Sequence, residues 1–445
     1  MKSTLQEKPT LEQLRDYFKT PGGPRMTPLI GVEYERLALR RESGEAIPFE
    51  GPRSVQSVLK ALASDYGWHP EMAGSYIMLL KREDAVISLE PGGQIELSTP
   101  PRESIDAACD YESKYLDELK AIGDRQGILW SGLGLQPISP LEAIPWVPKE
   151  RYLIMREFFR KKGPLAHAMM KKTASIQVTM DYHDEDIGEK FQAAMRLAPV
   201  ITAMFANSCF SDGKLTGFKS FRSHVWQNTD PDRTGLFPQA FRDDFTLMDY
   251  VHYALDVPLF FIQRKGKLHG DIRMTFREYL HRGWEGEYPT LDDWALHLTC
   301  VFPEARIRQW LEIRSADRQS GILAAAVPAF LKAILYNPPS RRAVLKLLNR
   351  NYKEARLAMA SAARDGLDGS YGPARIGDLS RECLEIAIEG MRALSAKGYF
   401  SRAGEEALQA LREGIVDEGM TPADRLIREY QSGRDLISVV RDTAL

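Results

Sequence analysis

Four short segments of the chain alternate polar and apolar residues, the pattern that predicts a β-strand with two different faces. They are Gly31-Val32-Glu33-Tyr34-Glu35, Gly93-Gln94-Ile95-Glu96-Leu97-Ser98, Ser175-Ile176-Gln177-Val178-Thr179 and Trp310-Leu311-Glu312-Ile313-Arg314. Because successive side chains of a strand point to opposite faces, each segment places its polar groups on one face. If the four strands share one sheet, its polar face collects Glu33, Glu35, Glu96, Gln177 and Glu312.

Four unpaired carboxylates in one place would repel one another at pH 7, and a hard divalent cation removes that repulsion. Oxygen ligands are those that Mg²⁺ takes, commonly together with substrate phosphates. The pattern therefore predicts a shared metal site, with neighbouring carboxylates on the order of 3–6 Å apart. The alternative is that each segment is an ordinary strand with one face in solvent.

Strands and helices follow one another without strict alternation, which predicts an α+β fold with a mainly antiparallel sheet. Helices are predicted at 54–66, 105–126, 151–159, 166–172, 187–207 and from 325 to the end, and strands at 29–39, 85–99 (a hairpin), 127–135 and 174–181. Thr10 to Gln13 predicts a helix start, Pro21-Gly22-Gly23-Pro24 its end, and Thr421-Pro422 another start. The segment 211–235 fits neither period, so we predict a functional loop.

Chain length, net charge and cysteine content limit which classes of protein fit this sequence. The 445 residues allow two or three lobes, and we predict a single catalytic domain over 1–445 with 325–445 as its helical C-terminal part. The net charge of -2 gives no reason to expect nucleic acid or an anionic membrane as a partner. Met1 to Pro9 has no signal-peptide core, and the four cysteines form no CxxC pair, so zinc is not expected. Reduced thiols fit a cytoplasmic protein.

Cations form a second set of candidate residues. Arg151 and Arg156 lie five residues apart, and the loop 211–235 contains Lys219, Arg222, His224 and Arg233. Single arginines are usually solvated or ion-paired, but Arg314 shares a strand face with Glu312, where a cation would meet metal-bound phosphate. Carboxylates with arginines at the rim suit phosphoryl transfer from a nucleoside triphosphate. The sequence contains no GxxxxGK[ST], so this is not a P-loop enzyme.

At these residues the chain resembles glutamate–cysteine ligases of the plant and proteobacterial type, within the glutamine-synthetase-like carboxylate–amine ligases. The resemblance runs from about residue 28 to 430. It rests on the strand segments at 31–35, 93–98 and 311–314. Further motifs are Glu90-Pro91-Gly92-Gly93, Pro148-Lys149-Glu150-Arg151-Tyr152-Leu153-Ile154-Met155, Phe205-Ala206-Asn207-Ser208, Arg222-Ser223-His224-Val225-Trp226, Asp232-Arg233-Thr234-Gly235 and Tyr253-Ala254-Leu255-Asp256-Val257-Pro258.

The resemblance implies a reaction and a set of roles. ATP phosphorylates the γ-carboxylate of L-glutamate, and L-cysteine attacks the acyl phosphate to give γ-glutamylcysteine, the first step of glutathione synthesis. It implies a sheet curved around the active site, with Mg²⁺, or Mn²⁺ in its place, and a monomer or homodimer. The implied metal ligands are Glu33, Glu35, Glu90, Glu96, Gln177 and Glu312. The implied catalytic, ATP-binding and substrate-binding residues are Arg314, Arg222, Arg151, Arg233, Lys219, Trp226 and His224.

The chain departs from the plant pattern in three respects. The cysteine that would pair with Cys109 is replaced, with Ala325 at the nearest matching position, and a second plant pair is missing from 270–288. We therefore expect no redox switch, and the lack of a transit peptide fits a bacterial, cytosolic form. Phe260 or Phe261 stands where plant members have an aromatic hydroxyl near the cysteine pocket. Two alternatives stay open: a γ-glutamyl ligase with another amine acceptor, and a non-catalytic metal or nucleotide sensor.

Overall fold

The structure is a computed structural model, which describes residues 8–19, 28–83, 85–399 and 401–445. The predicted helix end at 21–24 lies outside the described residues. The strands are β1 (Ile30–Arg40), β2 (His69–Ala73), β3 (Tyr76–Arg82), β4 (Ala85–Leu89), β5 (Ile95–Ser98), β6 (Ile128–Ser131), β7 (Ser175–Met180), β8 (Phe210–Ser211), β9 (Lys214–Leu215), β10 (Thr234–Gly235), β11 (Ile262–Arg264), β12 (Lys267–His269), β13 (Phe302–Pro303), β14 (Ala305–Ile307), β15 (Leu311–Asp317), β16 (Ser370–Tyr371) and β17 (Ala374–Arg375).

Helices surround these strands and make up most of the chain after β15. They are α1 (Leu11–Asp16), α2 (Val55–Tyr66), α3 (Ile105–Gln126), α4 (Glu150–Phe159), α5 (Ala166–Lys172), α6 (Ile187–Met204), α7 (Phe221–Gln227), α8 (Leu247–Asp256), α9 (Phe276–Arg282), α10 (Leu291–Leu298), α11 (Ile322–Leu335), α12 (Pro338–Leu347), α13 (Tyr352–Asp365), α14 (Ile376–Ala396), α15 (Arg402–Leu411), α16 (Pro422–Gln431) and α17 (Leu436–Asp442). A π-helical turn, Arg412–Asp417, follows α15.

The four strands predicted from the alternating pattern are neighbours in one sheet. In the part of the chain that the structure describes, this sheet has nine strands in the order β14-β15-β7-β1-β5-β4-β3-β2, with β6 pairing the far end of β1. The pairs β15–β7, β7–β1 and β1–β5 are all antiparallel. The predicted α+β fold, with its antiparallel sheet and helical C-terminal region, is therefore confirmed, whereas the division into domains stays a prediction.

The two faces of β1 have different surroundings, as its alternation predicts. Arg36 turns away from the side of Glu35 and donates to Glu112 of α3 at 2.8 Å. Arg318, just after β15, donates to the same Glu112 oxygen at 2.8 Å. All three side chains are buried, so this ion triad fixes α3 against β1 and β15. Helix α6 packs against β15, and α11 packs against β7 and β1.

Several local predictions are confirmed and others are wrong. Thr10 and Thr421 both form capping boxes, and Pro422 occupies the first turn of α16. The segment 211–235 is not wholly a loop, because it contains α7, which begins where the Ser220 hydroxyl accepts from the Ser223 amide. The hairpin β2–β3 was not predicted. Among the described residues no single helix is long and apolar enough to cross a membrane, although α11 and α12, bent by 95°, pass that test as a pair.

Candidate active site

A cleft of about 290 Å³ lies on the polar face of the sheet. The sheet contributes Glu33, Glu35, Glu96, Gln177 and Arg314 to its lining. Helices α4 and α5 cover the other side with Arg151, Tyr152, Met155, Met169 and Met170. The expectation that the alternating strands combine their polar side chains in one place is therefore confirmed for these residues.

Strand register sets which polar side chains meet. Glu35 of β1 lies opposite Glu96 of β5, and Glu33 lies opposite Gln177 of β7. Glu35 accepts hydrogen bonds from the Ser175 amide at 2.6 Å, the Ser175 hydroxyl at 2.9 Å and the Gln177 amide group at 3.1 Å. These donors hold Glu35 in one orientation at the centre of the cleft.

Glu90 reaches the cleft from a turn that requires glycine. In this turn, a Cβ on Gly92 would lie 2.4 Å from the carbonyl oxygen of Lys171 in α5, so only glycine permits the approach. Gln94 locks the turn, because its side-chain oxygen accepts from the Gly92 amide at 2.9 Å and its amide group donates to the Thr173 carbonyl at 2.9 Å. The motif Glu90 to Gln94 thus places Glu90 beside Glu96.

The carboxylates of this cleft prefer to hold protons. Burial, followed by the nearby Glu312, raises the pKa of Glu33 to about 8. Burial and Glu90 raise the pKa of Glu35 to about 7. Burial and Glu33 raise the pKa of Glu96 well above its usual range. Carboxylates that repel one another in this way are the arrangement that a cation would stabilise.

Glu312 differs from the other acids, and its predicted role as an open metal ligand is not what the structure shows. It is 1% exposed and does not line the cleft. Its two oxygens accept from Arg306 at 2.7 Å and from Arg314 at 3.2 Å. Burial alone would raise the pKa of Glu312, but Arg306 and Arg314 overcome it and the pKa is lowered. Glu312 is thus the counter-ion of two arginines.

The close convergence of the carboxylates around one metal ion stays a prediction. Within the described residues, no three histidine, cysteine, aspartate or glutamate side chains approach closely enough to form a ready metal-binding group. The reason is local pairing: Glu312 is held by Arg306 and Arg314, and Glu35 by Ser175 and Gln177. The donor types fit Mg²⁺, and Glu33, Glu35 and Glu96 line one cleft.

Arg306 and Arg308 line the cleft and were missed in the sequence. Arg306 lies directly across from Glu312 in the β14–β15 pair. The signal was available, since Arg306 and Arg308 alternate with the apolar Ala305 and Ile307 in the same period of two. The predicted strand at 310–314 did not include the strand before it, β14.

Two of the predicted contact residues lie at the cleft wall. Trp226 lines it, and the Arg314 guanidinium carbon lies 4.9 Å from the centre of a Trp226 ring and 5.5 Å from that of Phe302. Arg151, on α4, also lines the cleft, and its Nη2 donates only weakly, at 3.4 Å, to Thr299. These positions leave both side chains available to a ligand.

Arg222 lies behind the cleft rather than in its wall. It is 3% exposed, and its Nη2 donates to the backbone carbonyl of Arg314 at 2.7 Å, while Nη1 lies 3.7 Å from Asp317. It borders a small recess that shares Trp226 and Arg314 with the cleft. In this structure Arg222 fixes the backbone of Arg314.

Arg233 does not reach the cleft, so its predicted contact with ATP is wrong for this structure. The guanidinium is fully buried. It donates to Asp230 at 2.7 Å and to the carbonyls of Cys300 and Pro258, both at 2.9 Å, and lies 3.8 Å from the ring centre of Phe260. Every part of the group is engaged in the protein interior.

Lys219 and His224 also lie away from the cleft, contrary to prediction. Lys219 pairs with Asp424 at the start of α16. His224 stacks against Phe218, with the ring centres 4.1 Å apart, and partial burial lowers its pKa. Lys219 lies in a loop and His224 on the short helix α7, so no strand period fixes the direction of either side chain.

A larger cavity of about 880 Å³ lies along another side of α4, with walls that include Leu153, Ile154 and Phe158. Its walls are mainly apolar, and two of its cations, Lys161 and Arg273, lie near Asp271 at 3.9 and 3.7 Å. We place the candidate active site in the smaller cleft, because only that cleft combines buried carboxylates with arginines.

Comparison with known proteins agrees with this site. The model of glutamate-cysteine ligase family 2 matches residues 29–442. The chain belongs to this family. It is 36% identical over 428 residues to the chloroplastic glutamate–cysteine ligase of Medicago truncatula, covering 95% of this chain and 82% of that one. It is 37% identical over 406 residues to the Arabidopsis thaliana enzyme, with coverage of 90% and 76%.

The fold comparison extends to bacteria. A crystal structure of Francisella tularensis glutamate–cysteine ligase in complex with AMP superposes with a TM-score of 0.55 and 13% identity, over 95% of this chain and 88% of that chain. At this identity the likeness concerns the fold. The family resemblance found in the motifs is confirmed. The predicted cytosolic location is wrong by this comparison, since the two plant relatives named above are chloroplastic.

The raised pKa values predict how stability depends on pH. The pKa values of Glu33 and Glu35, about 8 and about 7, exceed the 4.5 of a free glutamate. Between these limits the folded state holds more protons than the unfolded state, so raising the pH lowers the free energy of unfolding. We expect the Tm of the metal-free protein to fall from about pH 5 to about pH 8.5, and to fall less in Glu33→Gln. A Tm that rises through this range would contradict the pKa values.

The cysteines predict insensitivity to redox conditions. Within the described residues all four are free thiols, and burial, followed by Glu112, raises the pKa of Cys109 to about 12. A thiol that rarely ionises is a poor nucleophile in disulfide exchange. Activity with dithiothreitol or with a mild oxidant should agree within about twofold. A reductant-dependent change of severalfold, or of the mass in solution, would show that a switch exists.

Proposed function

We propose that this chain is an ATP-dependent glutamate–cysteine ligase that works in the cleft on β1, β5, β7 and β15. The observation that supports it most is the collection of Glu33, Glu35, Glu96 and Arg314 on one sheet face within a chain that matches the family from residue 29 to 442. The reaction joins the γ-carboxylate of L-glutamate to the amine of L-cysteine, the first step of glutathione biosynthesis.

The chemistry proceeds in two steps. An oxygen of the glutamate γ-carboxylate attacks the terminal phosphorus of ATP, and the bond from that phosphorus to ADP breaks. The cysteine amine then attacks the acyl carbon, phosphate leaves, and the amine loses a proton to give the amide. Negative charge moves between anionic groups in both steps, so fixed cations are the main contribution that a protein can make.

Arg314 is a fixed cation on the same sheet face as the carboxylates. Its guanidinium donates to Glu312, faces Trp226 and Phe302, and is 9% exposed, so its orientation is set before substrates arrive. Arg222 supports this position through the Arg314 carbonyl. A preorganised donor in a site with little water stabilises developing charge more than it would in solution.

Mg²⁺ would be held by the carboxylates that line the cleft. Glu33, Glu35, Glu90 and Glu96 with the amide oxygen of Gln177 supply hard oxygen donors around one cleft. Glu312 would join them only if one of its arginines moved. When bound, the cation would neutralise phosphate charge and allow the carboxylates to ionise together.

An acceptor panel tests the proposed function. Purified protein with Mg²⁺, ATP and L-glutamate should release ADP when L-cysteine is added, and mass spectrometry should find γ-glutamylcysteine. L-alanine, glycine and L-2-aminobutyrate serve as competing amines. Faster ligation of another amine would identify a different γ-glutamyl ligase, and the absence of ADP release with every amine would favour a non-catalytic sensor.

A further inference from the structure

The turn between β14 and β15 gives one end of the cleft an excess of positive charge. Three arginines of these strands and their turn line the cleft, Arg306, Arg308 and Arg314. Arg306 and Arg314 share the single carboxylate of Glu312, at 2.7 and 3.2 Å. Arg308 has no carboxylate within ion-pair distance among the described residues.

Arg308 is nevertheless held in a defined place. Its backbone amide donates to the Trp310 carbonyl at 2.8 Å, which closes the turn. The Tyr250 hydroxyl accepts from the Ile307 amide at 3.1 Å and anchors the preceding residue. The guanidinium carbon lies 4.6 Å from the centre of a Trp310 ring, so the indole supports a half-buried cation that has no ion-pair partner among the described residues.

Arg151 adds a further guanidinium on the helical side of the cleft. Arg151, on α4, also lacks an ion-pair partner among the described residues and contacts only Thr299 and the ring of Phe261. It lines the cleft opposite the sheet, together with Glu90 and Glu96. The group of arginines on β14, β15 and their turn suits a polyanion such as a phosphate chain.

We propose that Arg308 binds the phosphate chain of the nucleotide. This assignment rests on the proposed function, because it takes ATP and an amino acid as the two anions that share the cleft. Arg308 is then a binding residue in addition to Arg314. When the Arg308 guanidinium binds phosphate oxygens, it gives up water but no ion pair within the protein. Arg306 and Arg314 would have to give up part of their ion pairs with Glu312.

The experiment compares nucleotide and glutamate binding in matched variants. Isothermal titration with the β,γ-imido analogue of ATP in the presence of Mg²⁺ measures nucleotide affinity, and steady-state kinetics give the KM for L-glutamate. Arg308→Ala should weaken the analogue by about tenfold or more, with the glutamate KM within about twofold of wild type. Arg308→Lys should recover part of the loss, since it keeps the charge without the fork of donors.

Arg273→Ala is the control, since Arg273 is 82% exposed outside the cleft and should leave both quantities unchanged. Thermal melts establish that each variant folds, and Arg308→Gln replaces Arg308→Ala if the latter does not. Unchanged analogue affinity in a folded Arg308 variant, or a raised glutamate KM instead, overturns this assignment and leaves the proposed ligase intact. A wild-type chain that neither binds the analogue nor ligates overturns both.

Discussion

Replacing Arg314 with alanine should lower kcat by roughly 10²-fold or more, the size of loss typical of preorganised electrostatic groups. The guanidinium is already fixed by Glu312 at 3.2 Å and by the faces of Trp226 and Phe302. Phosphoryl transfer spreads charge over the equatorial oxygens, so the cation stabilises the transition state more than the bound substrate. The KM for cysteine should change much less, because cysteine reacts after the acyl phosphate forms. Steady-state kinetics with each substrate varied in turn give these constants.

Two further variants make this test specific. Arg314→Lys should restore only part of kcat, because it keeps the charge but not the planar fork. Arg273→Ala, at an exposed position outside the cleft, should behave as wild type. A raised KM for glutamate with unchanged kcat in Arg314→Ala would show that Arg314 anchors a substrate carboxylate, and the phosphate would then have to bind elsewhere.

Glu33→Gln and Glu312→Gln should both reduce turnover by about 10²-fold or more, but their effects on stability should have opposite signs. Glu33 is destabilised in the folded state, where burial and Glu312 raise its pKa to about 8. Removing its charge should therefore raise the Tm of the metal-free protein at pH 8.5 or above. Glu312 is the counter-ion of Arg306 and Arg314. Removing that charge leaves two buried arginines uncompensated, which typically costs about 3–5 kcal/mol.

Thermal melts of Glu33→Gln and Glu312→Gln at the same pH test whether the two Tm changes have opposite signs. Glu45→Gln, at an exposed position, is the control. If Glu33→Gln also loses several degrees of Tm, Glu33 is a structural ion-pair partner. If Glu312→Gln is as stable as wild type, the arginines do not depend on Glu312, and its identification as their counter-ion is wrong.

The site was predictable from the sequence where a strand period fixes direction. Glu33, Glu35, Glu96 and Gln177 follow an alternation of two, and a single sheet with consecutive strands brings them together. The same period in 305–308 would have found Arg306 and Arg308. Alternation does not show which residue of the neighbouring strand lies opposite a given side chain. Glu312 was therefore predicted to be a metal ligand, although Arg306 lies opposite it and pairs with it.

Three predicted contact residues that do not line the cleft lie in 211–235, where the sequence shows neither the helical nor the strand period. Arg233, Lys219 and His224 were grouped by charge and by proximity in sequence. In the structure Arg233 is buried, Lys219 pairs with Asp424 and His224 stacks on Phe218. Their positions depend on contacts with other parts of the chain or on local folding that residue spacing alone does not indicate. Cations in an irregular segment indicate binding less reliably than cations on a strand.

Transfer of labelled oxygen from glutamate to phosphate is the most direct test of the central claim, that the cleft activates a γ-carboxylate by phosphorylation. L-Glutamate carrying ¹⁸O in its γ-carboxylate is incubated with ATP, Mg²⁺, L-cysteine and the protein, and the released phosphate is analysed by mass spectrometry. A γ-glutamyl phosphate intermediate leaves one labelled oxygen in each phosphate and the other in the new amide. Phosphate that carries no label while γ-glutamylcysteine accumulates would contradict the mechanism, because the carboxylate oxygen would never have been bonded to phosphorus.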